Sequence, residues 1–224
     1  MNGFDLNYFI NIIPVILKAL PVTLAVGISA MLFGFILGVS ISLIRKMNNP
    51  VLNPIIEVYV SFFRGTPLMV QLFIFFFGLP QIIPALAKLS AFQAAIIVMT
   101  INASAYISEV IRSAIDSVDK GQMEAALSVG MSRSKAMERI VLPQAFKVAV
   151  PPLGNTFISL LQGTAITFML GLQDIMGLSK MKAAASYRFL ESFLAVGLIY
   201  WALTLIATQV NKKLEWNLSK GGAL

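Results

Sequence analysis

Long apolar stretches separated by short charged segments run through almost the whole chain. Five stretches contain no Asp, Glu, Lys or Arg, and they cover residues 19–44, 65–87, 89–108, 148–173 and 192–211. Each has 20 residues or more, which is long enough for a helix to cross about 30 Å of hydrocarbon. The pattern predicts an all-α, polytopic membrane protein with five transmembrane helices in a single domain, residues 1–224.

Prolines change the expected limits of the second span. Pro80 and Pro84 lie inside the stretch 65–87. Because proline interrupts a helix, we expect this helix to end near Gly78. Its start is expected earlier, around Asn53 and Pro54, since proline suits the first turn of a helix.

Two further segments are expected outside the five spans. Residues 4–17 are apolar but carry a few polar side chains, and they predict a short helix at the outer membrane surface. Residues 169–188 follow the fourth span. They predict either a re-entrant turn with a short helix or a plain connecting loop.

Small residues recur every four positions in the first span, at Ala30, Gly34 and Gly38. Such a row lets another helix approach closely. We expect it to serve packing within the chain, with a contact between subunits as the alternative.

Basic residues predict the orientation of the spans. An odd number of spans puts the N-terminus outside when the C-terminus is inside. The cytoplasmic side then holds twelve of the 17 basic residues, Arg45, Lys46, Arg64, Arg112, Lys120, Arg133, Lys135, Arg139, Lys147, Lys212, Lys213 and Lys220. The outer side holds the other five, Lys18, Lys88, Lys180, Lys182 and Arg188. This excess inside follows the positive-inside rule.

Composition excludes several classes of protein. Charged residues make up 12% of the chain, whereas soluble domains typically carry about 25%. The net charge of +7 is explained by topology, so no nucleic-acid partner is expected. The chain has no Cys and no His, which removes disulfides, thiolate metal sites and the usual proton shuttle. We therefore expect no cofactor, no metal and no catalytic residue.

A polar segment, about residues 117–147, interrupts the apolar pattern on the cytoplasmic side. Ser117 or Asp119 is expected to cap a short helix, and Gly130 is expected either to end this helix or to permit a tight bend. Ser132 is expected to cap a second helix, residues 133–142, which Pro143 ends. The segment predicts a short exposed helix held between two arms.

The residues of this segment resemble the "EAA loop" of ABC-importer permeases, which docks on an ATPase subunit. The matching positions are Glu124, Ala125, Ala126, Gly130, Ile140, Leu142 and Pro143. Ala125 and Ala126 are expected to give one helix face a small, smooth surface that fits a cleft. The alternative is a solvated loop that contains these residues by chance.

Further motifs resemble the polar amino acid uptake family of these permeases. They are Phe63-Arg64-Gly65-Thr66-Pro67-Leu68 with Gln71-Leu72, Ala105-Tyr106 with Glu109 and Arg112, Leu142-Pro143-Gln144-Ala145, and Pro151-Pro152-Leu153 with Asn155 and Phe157-Ile158-Ser159-Leu160. The resemblance covers nearly the whole chain. It implies a type I ABC-importer permease-like fold in the cell (plasma or inner) membrane, with alternating access to the two sides.

The resemblance also implies the partners. They are two ATP-binding cassette ATPase subunits, a second permease subunit (an identical or a sister chain), an extracytoplasmic amino-acid-binding protein and the lipid bilayer. A segment at residues 169–188 is a candidate for receiving the binding protein. The chain has no Gly-rich phosphate loop ending in Lys-Ser or Lys-Thr, so ATP hydrolysis is expected in a partner and the chain is not expected to be an enzyme.

Polar side chains inside three spans predict the substrate pathway. They are Arg64, Thr66, Pro67 and Gln71 in the second span, Asn102, Tyr106 and Glu109 in the third, and Asn155, Ser159 and Gln162 in the fourth. In the third and fourth spans the offsets of 0, 4 and 7 place each set on one helix face. Gly65 and Pro67 are expected to loosen the second helix. These groups form a pocket or, alternatively, only hold the helices together. For Arg64 and Glu109 the alternatives are that they pair with each other or serve the cytoplasmic gate, since both lie toward that side.

One departure from the family bears on the cargo. Many members read Lys-Asp-Thr-Ser where this chain reads Gln162-Gly163-Thr164-Ala165. The lost carboxylate would be a counter-charge for a cationic cargo. We therefore expect a polar neutral or zwitterionic amino acid such as cystine or glutamine, with a cationic one such as arginine as the alternative. A membrane enzyme and a self-sufficient channel or carrier are the rival classes of function, and a carrier would not need the docking helix.

Overall fold

The computed structural model describes residues 3–47 and 49–220, and this part of the chain is almost entirely helical. The predicted domain, residues 1–224, also includes residues 1, 2, 48 and 221–224, which lie outside the described residues. The α-helices are α1 (Leu6–Leu17), α2 (Leu20–Lys46), α3 (Leu52–Gly65), α4 (Leu68–Phe73), α5 (Ala91–Asp116), α6 (Lys120–Ser128), α7 (Arg133–Ala136), α8 (Leu142–Gly163), α9 (Ile175–Ser186) and α10 (Phe189–Lys220). The predicted all-α fold class is confirmed.

Among the described residues, four helical segments are long and apolar enough to cross a membrane. They are Leu20–Lys46, Ala91–Asp116, Arg133–Leu170 and Phe189–Leu218. A bent pair, Leu52–Gly65 with Leu68–Gln81, passes the same test together and gives the fifth crossing when it is counted as one span. Each of the five predicted spans overlaps one of these elements, although the second and fourth predicted spans run six and three residues past the ends of theirs, at Gln81 and Leu170. Their orientation across the membrane stays a prediction.

The second span is broken in its middle. Helix α3 ends at Gly65, and α4 begins at Leu68 with its axis bent by 110°. Thr66 and Pro67 between them have extended backbones. For Thr66 the cause is Pro67, because proline disfavours a helical conformation in the residue before it. The α4 arm continues as a wide π-helical turn, Ile74–Gly78, and a 3₁₀ turn, so the predicted helix end near Gly78 is confirmed.

Close packing of α2 on α5 forms the centre of the bundle. A Cβ atom added to Gly34 would lie 2.8 Å from the Ala103 Cβ, and one added to Gly38 would lie 2.8 Å from Ile107. Ala30, Ala103 and Ile107 are fully buried in the same core. The small residues of the first span therefore serve packing within the chain, as predicted.

Pro143 does not end the helix that precedes it, so this prediction is wrong. Helix α7 passes through a π-helical turn, Met137–Val141, directly into α8. The combined helix Arg133–Leu170 is 38 residues long. Proline normally clashes with the carbonyl four residues earlier. The wider turn just before Pro143 takes up this mismatch, as π turns do at irregular points within helices.

Helices α1, α9 and α10 form a second packed unit. Ile16 of α1 and Ile175 of α9 are fully buried against Ala195 of α10. The buried Asp174 caps α9 by accepting from the Gly177 N–H at 2.8 Å. Residues 4–17 and 169–188 therefore contain the predicted short helices, α1 and α9.

Candidate functional site

Side chains of the second span close the break between α3 and α4. The Gln71 amide Nε2 donates to the carbonyl oxygen of Phe63 at 3.0 Å, to that of Thr66 at 3.1 Å and to the Thr66 hydroxyl at 2.9 Å. The Thr66 hydroxyl in turn donates to the Phe62 carbonyl at 2.8 Å. Carbonyls at the end of a helix lack partners within the helix, and these polar groups supply them. Gln71 is buried at this point.

One face of α5 is tied to the same break. Asn102 Nδ2 donates to the Phe63 carbonyl at 3.0 Å and to Gln71 Oε1 at 2.9 Å. One turn further, the Tyr106 hydroxyl lies 3.5 Å from the Arg64 carbonyl oxygen, and its ring faces the Arg64 guanidinium. Two residues of the predicted face of the third span, Asn102 and Tyr106, therefore follow the end of α3.

A cavity of about 380 Å³ lies between α4, α5 and α8. Its walls combine apolar side chains with hydroxyl and amide groups, contributed by Leu68, Asn102, Ala103, Tyr106, Pro152, Asn155, Thr156, Ser159 and Leu160. Four of the predicted pathway residues, Asn102, Tyr106, Asn155 and Ser159, meet here. Among the described residues that line the cavity, none carries a charge.

The polar groups of this cavity differ in what they already bind. Asn102 is half-buried and holds the helix break, as described above. Asn155 and Ser159 are exposed to the cavity, and within the described part of the chain their side chains make no hydrogen bond to protein. Tyr106 is 40% exposed, with only the long contact to Arg64. Asn155, Ser159 and Tyr106 are therefore the groups available to a polar ligand.

Gln162 does not lie with the other polar residues of its span. Its amide donates to the Thr204 hydroxyl of α10 at 3.2 Å, and it is absent from the cavity wall. Thr66, Pro67 and Gln71 lie at the helix break beside the cavity, and Arg64 lies one turn from it toward Glu109. Only part of the predicted set therefore forms the cavity.

Glu109 is the centre of an ion-pair cluster. Its carboxylate pairs with Arg45, lies 2.9 Å from Arg112 Nη2 and lies 3.5 Å from Arg64 Nη1. The pairing of Arg64 with Glu109, given above as an alternative, is thus present. Arg45 was not among the predicted site residues. The sequence did contain a signal for this pairing. Arg45 directly follows the first apolar stretch and Glu109 directly follows the third, and both of these ends are predicted on the same side of the membrane.

The polar segment folds as a capped helix followed by a tight turn. Asp119, not Ser117, caps α6 by accepting from the Gly121 N–H at 2.6 Å. Gly130 adopts a left-handed backbone with φ 82°, and the Met131 N–H donates back to the Ala126 carbonyl at 3.1 Å. This is the Schellman arrangement that ends many helices. The predicted helix and its stop at Gly130 are confirmed.

The two alanines of α6 do not share an exposed face, which corrects the prediction made for them. Ala125 is exposed together with Glu124, whereas Ala126 is 6% exposed. Consecutive residues point about 100° apart on a helix, so one alanine faces the body of the protein. The outward surface of α6 instead includes Leu127, which is 42% exposed. Val129, just past the end of the helix, is 78% exposed and extends this surface.

Leu142 and Pro143 lie at the start of α8, beyond the π-helical turn. Leu142 is 39% exposed. Both residues line an apolar groove of about 490 Å³ with Glu138 and with side chains of α2 and α5. The first turn of α8 also contacts α6 directly, because Gln144 Nε2 donates to Gln122 Oε1 at 3.3 Å.

A family model supports the assignment that these features suggest. Residues 30–220 match the model described as "Binding-protein-dependent transport system inner membrane component". The match covers the bundle, the cavity and the α6 segment.

Curated relatives align over nearly the full length. The chain is 46% identical to the probable amino-acid ABC transporter permease protein PatM of Vibrio harveyi, over 97% of this chain and 98% of that protein. It is 41% identical to the L-cystine transport system permease protein TcyL of Bacillus subtilis, over 92% and 87% of the two chains. It is 40% identical to the arginine transport system permease protein ArtQ of Bacillus subtilis, over 96% and 98%.

A solved structure shares the fold. The chain superposes on the crystal structure of an amino acid ABC transporter with histidines, with a TM-score of 0.89, at 32% identity and over 96% of this chain and 100% of that one. The chain therefore belongs to the family of binding-protein-dependent transport system inner membrane components, among the permeases of amino-acid ABC importers.

Proposed function

We propose that this chain, as one transmembrane permease domain over residues 1–224, forms half of the pore of an ATP-driven amino-acid importer. Its partners are two ATPase subunits, a second permease subunit and an extracytoplasmic amino-acid-binding protein. ATP is hydrolysed in the ATPase subunits, and the bundle alternates between outward and inward openings. The family match and the full-length relatives support this assignment.

Helix α6 is the element through which the ATPase moves the bundle. It is short and capped at both ends, it packs against the α7 segment and the π-helical turn, and its Ala126 is buried. Glu124, Ala125, Leu127 and Val129 are exposed for contact with a partner. Gly130, Leu142 and Pro143 act on this coupling indirectly, by setting the turn and the entry into α8.

The cavity between α4, α5 and α8 is the substrate site. Asn155, Ser159 and Tyr106 supply free hydrogen-bonding groups, while Asn102, Gln71, Thr66 and Pro67 hold the wall of the site in shape. Gln162, whose amide binds Thr204, supports the packing of α8 on α10. Arg64 and Glu109 act on the cytoplasmic side of the site.

A neutral or zwitterionic amino acid, such as cystine or glutamine, fits this cavity best. The observation that carries this choice is the uncharged wall, since a cationic side chain at low dielectric needs a counter-charge. Gly163 replaces the acidic residue of many family members, and a Cβ at this position would lie 3.4 Å from Leu68, a residue of the cavity wall. A carboxylate here would therefore point toward the cavity. Arginine is the alternative cargo, and the relatives named for cystine and arginine are about equally similar to the chain.

Competition of amino acids for uptake tests the cargo. The chain, its ATPase and its binding protein are reconstituted in vesicles, and uptake of labelled cystine or glutamine is measured. We expect excess unlabelled substrate to abolish uptake and excess arginine to leave it unchanged. Strong inhibition by arginine would favour the cationic alternative.

Replacement of Glu124 tests the coupling. We expect Glu124→Ala to insert normally but to lose ATP-dependent uptake, whereas Glu138→Ala, on the next helical segment, retains it. Unchanged uptake with Glu124→Ala and without the ATPase would favour a self-sufficient carrier.

A further inference from the structure

Three arginines from three different helices meet at one carboxylate. Arg45 comes from the end of α2, Arg64 from the end of α3 and Arg112 from α5, and all three pair with Glu109. The side chains of Glu109 and Arg45 are 16% and 19% exposed, whereas those of Arg64 and Arg112 are 43% and 44% exposed, so the carboxylate is shielded from water while two of its partners reach solvent. Guanidinium groups bind carboxylates through strong, directional hydrogen bonds.

The cluster lies between two cavities. Tyr106, one turn before Glu109 on α5, lines the uncharged cavity of about 380 Å³. Arg45 and Arg112 line a second, polar cavity of about 620 Å³ on the predicted cytoplasmic side. Glu109 itself is not part of either wall. The Glu109 ion pairs therefore lie next to residues of both cavity walls.

The walls of the second cavity carry an excess of positive charge. Its charged residues are Arg45, Lys46, Glu57, Arg112, Asp116 and Arg133. Four of these are cations and two are anions, and Arg64 adds a further cation at Glu109. Asp116 pairs with Arg112 at 2.9 Å but is 61% exposed. The three guanidiniums thus have more capacity for carboxylates than Glu109 alone fills.

We propose that Arg45, Arg64 and Arg112 form a second binding site, for the carboxylate of the amino acid that leaves the first cavity, and that Glu109 occupies this site between transport cycles. The proposal rests on the proposed function, since it takes the cargo to be an amino acid. The outgoing carboxylate replaces Glu109 at the guanidiniums, so each arginine exchanges one carboxylate partner for another and is not left unpaired. Breaking a shielded pair without a replacement would be far more costly.

Removal of the Glu109 carboxylate tests the site directly. The full transporter with Glu109→Ala is purified, and its melting temperature is measured with sodium acetate or with sodium chloride at equal ionic strength. We expect about 50 mM acetate to raise the melting temperature of Glu109→Ala by about 2–4 °C relative to chloride, and that of the wild type by less than about 1 °C. Acetate is also expected to restore part of the ATP-dependent uptake that the variant loses.

Matched variants separate this proposal from a purely structural cluster. Asp116→Ala removes a carboxylate at the same distance from Arg112, in an exposed place, and we expect no acetate response from it. The double variant Arg45→Ala with Glu109→Ala is expected to lose the acetate response. Should Glu109→Ala not assemble, Glu109→Ser leaves similar space and is measured in its place.

Equal melting shifts in the wild type and the Glu109 variant, or no shift in either, would overturn the proposal. The acetate readout does not depend on transport. Failure of the wild-type transporter to take up any amino acid would therefore count against the proposed function and leave the carboxylate site standing.

Discussion

The side-chain amide of Asn102 binds the carbonyl oxygen of Phe63 across the break in the second span, at 3.0 Å. This contact joins α5 to the end of α3, and the same Asn102 amide also reaches Gln71. A polar residue within a membrane span can bind substrate or hold helices together, and the Asn102 amide already holds α5 to the second span. The neighbouring Asn155, on α8, lines the same cavity with its side chain free among the described residues.

Substitutions of these two asparagines should affect different properties, stability for Asn102 and uptake for Asn155. We expect Asn102→Leu to lower the stability by about 1–2 kcal/mol, because a hydrogen bond at the helix break is lost. Asn155→Ala should leave stability unchanged and reduce uptake. Thermal unfolding in detergent and vesicle uptake measure the two effects. Lower stability of Asn155→Ala with normal uptake would contradict the assignment.

Adjacent alanines of α6 should respond differently to a charge. Ala125→Lys places an ammonium on the exposed face, so we expect weaker association with the ATPase and unchanged stability of the chain. Ala126→Lys places it at a buried position and should reduce the amount of folded protein. Pull-down of the ATPase and size-exclusion chromatography check the pair, and the reverse result would mean that the docking face of α6 lies elsewhere.

The backbone of Gly130 should restrict what can replace it. Its φ of 82° is unfavourable for most side chains, so Gly130→Ala should cost about 1 kcal/mol and lower coupled ATPase activity. Asparagine tolerates this conformation better, and Gly130→Asn should retain more activity. Equal activities of the two variants would show that the turn is not under this constraint.

The contact between α2 and α5 should not accept a larger residue. Gly38→Val would bring new atoms against Ile107, and we expect a loss of about 1–3 kcal/mol. Gly197 provides the control, because a Cβ there would meet nothing within 4 Å. Gly197→Ala should therefore be neutral or stabilising. Unfolding curves of both variants in one detergent give the comparison.

Asp174 should make stability depend on pH. Burial raises the pKa of its carboxyl, and backbone N–H groups at the start of α9 oppose this effect. A raised pKa in the folded state means that stability is lost as the pH rises through the titration of the group. Asp174→Asn keeps a capping side chain without the charge. We expect its advantage in melting temperature over the wild type to grow as the pH rises from about 4, where the carboxyl of the unfolded chain titrates, through the higher pKa of the folded state. A constant difference would contradict this account.

Local signals in the sequence were sufficient for much of the fold. The apolar runs located the spans, and Asp119, Ser132 and Gly130 marked the ends of helices through capping and backbone preferences that act within a few residues. The row at Gly34 and Gly38 likewise indicated close packing of the first span.

Features that depend on neighbouring helices were harder to predict. Asn155 and Gln162 lie seven residues apart and share an ideal helix face, yet Asn155 lines the cavity while Gln162 binds Thr204 of α10. Seven residues span about 10 Å, and helices that cross at an angle change neighbours over this distance. The pairing of Arg45 with Glu109 also joins residues from separate spans, and periodicity within one span cannot indicate it.

The 110° bend of the second span joins two helical arms that point in different directions. One arm, α3, ends beside the Glu109 cluster, and the other arm begins with Leu68 at the wall of the cavity of about 380 Å³. Because the two arms lie nearly at right angles, a displacement of α3 along its own axis would move the second arm sideways against this cavity. The cavity could in this way widen or narrow without any change in the length of either helix.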